Sequence, residues 1–169
     1  MKIAPVLMLI AVILSGGCRK IEHLSPIPSI SYDNFTIFDT TDILGNTLKG
    51  GKLNFYFEDG DGDVGLRSPT DTETDSTNLF FTLYRKTDGV MEPAETGDPL
   101  YPSAYRIPYM ERLGQNKILK GTITVTFLYL FYNPDDTIMY DFYIKDRALH
   151  ESNVASTGEI IISENNVYK

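Results

Sequence analysis

Lys52-Leu53-Asn54-Phe55-Tyr56-Phe57-Glu58-Asp59-Gly60-Asp61-Gly62-Asp63-Val64-Gly65-Leu66 is the stretch from which both a fold and a chemistry can be read. Its first half alternates. Leu53, Phe55 and Phe57 fall on one side of an extended chain, with Lys52, Asn54, Tyr56 and Glu58 on the other. Period-two alternation rich in aromatic residues is the signature of a half-buried strand. Its second half sets Asp59, Asp61 and Asp63 at every second residue with glycine between them. Carboxylates this close repel one another unless solvent or a hard cation offsets the charge. Calcium takes about six to eight oxygen ligands, and Gly60 and Gly62 give the backbone freedom to curl around one. A solvated acidic turn uses the same residue types, because turns favour Asp and Gly.

The spacing resembles the opening of an EF-hand loop, with Asp59, Asp61 and Asp63 at its first three ligand positions. The match then ends. Val64 stands where the loop needs glycine, Thr70 stands where the bidentate glutamate belongs, and no helical pattern flanks the stretch. The expectation is a strand-borne Ca2+ loop that finishes its oxygen shell from elsewhere in the chain. Magnesium fits less well, since it keeps its waters.

The same alternation recurs at Leu79–Tyr84, at Thr122–Phe131, at Ile138–Lys145 and, more briefly, at Glu159–Ser163. Ile30–Phe38 reads as a first strand interrupted near Asp33-Asn34, as at a bulge or an edge. Gly45-Asn46, Gly50-Gly51, Asp88-Gly89 and Asn133-Pro134-Asp135-Asp136 read as turns between them. Arg112–Lys120 has room for one helical turn, and no amphipathic helix is evident. The pattern predicts an all-β chain, an immunoglobulin-like antiparallel β-sandwich of about seven strands with long loops. The absence of tryptophan and of a cysteine pair sets it apart from antibody domains.

Met1-Lys2, an apolar run to Leu14 and the small residues Ser15-Gly16-Gly17 precede Cys18, the chain's one cysteine. The apolar run is short for a membrane span and reads as a signal peptide. The arrangement resembles the lipobox of bacterial lipoproteins, with Ser15 where leucine is usual. The resemblance implies lipidation of Cys18, and Arg19 after it implies the outer membrane. The expected organisation is a signal peptide over 1–17, a proline-containing tether over 18–29 and a single domain over 30–169. The mature chain would hold no thiol, with 14 basic against 23 acidic side chains and a net charge of −9. Such a chain disfavours nucleic acid, and its link to the membrane is the lipid.

Two connections are long. Ser68–Asn78 is polar and acidic. Thr87–Gly121 carries four prolines and Tyr101, Tyr105 and Tyr109, whose spacing of four would suit a helix if Pro102 and Pro108 did not break it. These tyrosines either stack on a sugar ring or pack the loop onto the sandwich. Asp146-Arg147-Ala148-Leu149-His150-Glu151-Ser152-Asn153 resembles the turn before the last strand of bacterial immunoglobulin-like domains. If Lys52–Glu58 is the second strand and Tyr140–Lys145 the sixth, the loops after them share one end of the sandwich. Asp146 then approaches Asp59, Asp61 and Asp63 as a fourth metal ligand, with Ser152 or Asn153 near. Alternatively, Asp146 caps its own turn.

The lipobox, the Asp-Gly-Asp-Gly-Asp loop, Tyr105-Arg106-Ile107-Pro108, Gly114-Gln115-Asn116-Lys117 and the Asp146-Arg147 end together resemble small lipoproteins of the Bacteroidota. That resemblance implies an immunoglobulin-like fold and an envelope location, and no activity. With two histidines and no Gly-x-Ser-x-Gly, the chain does not read as an enzyme. The expectation is a calcium-stabilised binding or scaffold module with an envelope protein or a glycan as partner.

Overall fold

The computed structural model describes residues 23–67, 77–111 and 117–169. The stretch expected to be a signal peptide, Cys18 and the first part of the expected tether lie outside them. Nine strands follow in order: β1 Ser29–Thr41, β2 Thr47–Asp59, β3 Leu79–Thr87, β4 Val90–Pro93, β5 Leu119–Tyr129, β6 Thr137–Ile144, β7 Ala155–Ser156, β8 Ile160–Ile161 and β9 Val167–Tyr168. They form two antiparallel sheets, β5-β2-β1-β9 and β4-β3-β6-β7, with β8 also on β6. This is the expected antiparallel, immunoglobulin-like β-sandwich, with no helix among the described residues.

The inward positions are those the alternation names, except that β5 ends at Tyr129 and Phe131 beyond it is exposed. Phe35, Leu53, Phe55, Leu83, Ile138, Tyr140 and Phe142 are fully enclosed between the sheets. Phe35, Phe127 and Tyr140 form a trio of mutually contacting rings, with centroids 5.7, 5.6 and 6.0 Å apart, and Phe55 meets Phe142 at 5.1 Å between centroids. Each such side chain contributes about 1.5–3 kcal/mol on burial. The buried Tyr140 hydroxyl donates to the Leu100 carbonyl at 2.9 Å, which ties the long β4–β5 connection to the core. The break near Asp33-Asn34 is a register shift between Tyr32 and Asn34.

Gly50-Gly51 differs from expectation. Both lie inside β2, paired with Phe38 and Ile37 on one side and with Leu128 and Phe127 on the other. The reason is space. A Cβ on Gly50 would stand 2.5 Å from the Phe38 ring, and one on Gly51 would stand 2.6 Å from Phe35. The glycines make room for aromatic rings. By contrast Asp88-Gly89 is the expected tight turn, with both residues at positive φ (51° and 83°). Leu119 and Lys120 belong to β5 rather than to a helical turn.

Candidate metal centre

Asp59 is the last residue of β2 and continues the inward series of Leu53, Phe55 and Phe57, so the strand's own periodicity carries a carboxylate into the interior. It is 0 % exposed. Its Oδ2 accepts the Asp63 N–H at 2.6 Å and the Val64 N–H at 2.9 Å, which closes the loop on itself. Gly62 makes the required turn at φ 68°, and buried Val64 pins the loop to the core. Among the described residues, the buried Asp59 Oδ1 has no hydrogen-bond partner, and neither has the Asp63 Oδ1.

One carboxylate oxygen from each of Asp59, Asp61 and Asp63 lies within 4.8 Å of the other two. The electrostatics match that crowding. Burial pushes the Asp59 carboxyl up, against the two backbone N–H groups that lower it, and Asp61 pushes it further. Burial, and then the charges of Asp146, Asp61 and Asp59, push Asp63 up to about 6, with Arg147 pulling the other way.

The two loops do meet at one end. The Arg147 N–H donates to the Asp63 carbonyl at 3.3 Å, and the Arg147 guanidinium donates to the Gly65 carbonyl at 2.7 Å. Asp146 is buried and acts on Asp63 through its charge. Its own oxygens, however, are held by His150. Oδ1 accepts the His150 N–H at 2.8 Å, and Oδ2 is 2.9 Å from His150 Nδ1. Leu149 reaches φ 69° to allow this closure. Asp146 therefore caps its own turn, and among the described residues the converging cluster is Asp59, Asp61 and Asp63. Ser152 and Asn153 are engaged elsewhere. The Ser152 hydroxyl donates to the Asn153 carbonyl, and the Asn153 amide bonds both the N–H and the carbonyl of Ile30.

The end of the tether also enters the site. The Gly60 N–H donates to the Ser25 carbonyl at 2.9 Å. Pro28 is buried. Residues 24–28 are thus joined to the domain rather than adding reach. Nothing in a Leu-Ser-Pro-Ile-Pro stretch announces that contact, although a glycine inside an acidic turn is the signal for a close backbone approach.

The three loop tyrosines have three different surroundings. Tyr105 packs edge-on against Phe81 and Phe127 in the core. Tyr101, 39 % exposed, donates its hydroxyl to the Phe81 carbonyl. Tyr109 has two guanidinium groups over its ring, those of Arg67 and Arg147, at 5.0 and 5.3 Å from the centroid. Comparison with protein families, with curated proteins and with solved structures gives no match in any of the three. Fold and site together define an antiparallel β-sandwich with a three-aspartate cluster that can hold a metal ion.

Proposed function

We propose that the chain is a lipid-anchored lipoprotein of the cell envelope whose sandwich is a non-catalytic binding or scaffold module, stabilised by calcium in the 59–63 loop. One observation carries the metal: the Asp59 Oδ1, fully buried beside two further carboxylates, has no hydrogen-bond donor among the described residues. A buried, unpaired ionised oxygen is strongly unfavourable, and a cation removes the deficit. An all-oxygen ligand set favours calcium over zinc or copper, which prefer imidazole or thiolate.

The envelope location rests on the leader and Cys18. The buried Asp146 orienting His150 has the outline of a general base, but the adjacent Ser152 hydroxyl serves the Asn153 carbonyl. The partner is an envelope protein or a glycan. The glycan reading is the weaker, because Tyr105 is turned into the core.

Calorimetric titration of the chain from Arg19 to Lys169 tests the metal. Every strand and every buried core side chain of the described residues lies within that span. One calcium per chain with a Kd of about 10⁻⁴ M is expected, as for extracellular modules. The absence of binding heat at several Kd contradicts the reading. The mass of the mature N-terminal peptide tests the anchor, which requires a diacylglyceryl group on Cys18.

A further inference from the structure

We propose that calcium in the 59–63 loop works a latch: it fastens residues 24–28, the strap ahead of β1, to the domain, and the strap in turn tightens the calcium. The inference rests on the calcium reading above. Gly60 stands between Asp59 and Asp61, two of the three converging aspartates. Its N–H donates to the Ser25 carbonyl at 2.9 Å. The strap crosses Gly60 so closely that the carbonyl oxygens of Leu24 and Ser25 leave no room for a Cβ there.

The strap is stiff. Pro26 and Pro28 fix their own φ and offer no N–H, so the stretch does not continue the β1 ladder. The Ser25 hydroxyl accepts the Ile27 N–H at 3.0 Å, which turns the stretch back on itself. Pro28 is buried and Ser29 pairs with Glu58, so the chain is fixed to the domain from Pro28 onward. Upstream of Pro28 the strap is bonded to the domain through Gly60.

The metal sets where Gly60 stands. Asp59 is held by β2 and by the N–H groups of Asp63 and Val64. Asp61 is half-buried, and its charge meets that of Asp59 across no more than 4.8 Å. Without a cation this repulsion drives the two carboxylates apart and turns the peptide between them, taking the Gly60 N–H off Ser25. A cation bound by both carboxylates holds the two residues together and keeps that N–H on the strap. Linkage makes the effect mutual: the factor by which calcium favours strap docking is the factor by which the strap favours calcium. With a lipid anchor at Cys18, the latch also sets reach. Release moves the point where the chain joins the domain from Ser25 to Pro28, three residues further from Cys18, which adds up to about 10 Å.

Calorimetric titration of two chains with calcium chloride tests the latch, one running from Arg19 to Lys169 and one from Ile27 to Lys169. The shorter chain keeps all three aspartates and the whole of β1, and its melting temperature in chelator reports that it is folded. Its Kd for calcium is expected to be at least about fivefold weaker. Gly60→Ala is expected to weaken calcium by a similar factor in the longer chain and to add nothing in the shorter one. Independently, hydrogen exchange of the Gly60 N–H is expected to slow at least about fivefold on calcium saturation in the longer chain, and not in the shorter. Equal Kd values in the two chains, Gly60→Ala that leaves the Kd of the longer chain unchanged, or Gly60 exchange that calcium slows equally in both, overturns the latch and leaves the calcium site standing. No binding by either chain overturns the calcium site and the latch with it.

Discussion

The Gly60 N–H donates to the Ser25 carbonyl at 2.9 Å, and this bond fastens the chain's N-terminal approach to the acidic loop. A Cβ at Gly60 would lie 2.3 Å from the Leu24 carbonyl oxygen and 2.4 Å from that of Ser25. Both clashes are with backbone, so the strap must detach. Gly60→Ala is expected to cost about 1–3 kcal/mol. In a chain that begins at Ile27 the same substitution is expected to be nearly neutral, and the non-additivity in denaturant melts measures the coupling. Additive effects would show that the strap contributes nothing to the loop.

Asp59→Asn separates the fold's need for this side chain from the metal's need. The retained carbonyl oxygen still accepts the N–H groups of Asp63 and Val64, while one charge leaves the cluster. The calcium-free domain is expected to become more stable, by about 1 kcal/mol, and to lose its response to calcium. Thermal melts with and without chelator distinguish this from a variant that is simply destabilised.

The pH dependence has a definite sign. The Asp63 carboxyl is raised from 3.8 to about 6 in the folded chain. Between those values the folded state binds more protons than the unfolded state. Stability therefore falls as pH rises through the window and stays lower above it. For this half-buried group the effect is about 1–2 kcal/mol after allowance for solvent screening. The calcium-free domain is expected to melt higher at pH 5 than at pH 7. The increment from calcium shrinks as pH falls from 7 to 5, because protons compete for the same oxygen. A calcium-free melting temperature that rises steadily from pH 5 to pH 7 would count against the site's electrostatics.

Asn153 stands in for a neighbouring strand at Ile30, accepting its N–H and donating to its carbonyl, both at 2.9 Å. Asn153→Ala leaves both groups without that partner and opens the edge of β1. The expected loss is about 1–3 kcal/mol, with faster aggregation on heating. Light scattering during a melt checks both.

Much of the sandwich was legible because a strand buried on one face writes its periodicity into the sequence. Leu53, Phe55 and Phe57 name the inner face of β2, and the same count names Asp59 as buried. β4, β7 and β9 are too short to carry a pattern. Gly50-Gly51 looks like a turn because the rings that need its space, Phe35 and Phe38, are remote in sequence from it. The meeting of the 59–65 and 146–150 loops follows from strand order alone. The pairing of Asp146 with His150 does not, since it depends on Leu149 entering the left-handed region. Tyr105 separates from Tyr101 and Tyr109 only once Phe81 and Phe127 are in place.

The most direct measurement is the melting temperature of the chain from Arg19 to Lys169 in chelator and then in about 1 mM calcium. A Kd of about 10⁻⁴ M gives roughly 1.4 kcal/mol of added stability, a rise of about 3–5 °C for a domain of this size. The account predicts that rise in the natural sequence and its loss in Asp59→Asn. No rise at several millimolar calcium would contradict it and leave the aspartates as a turn that needs no metal.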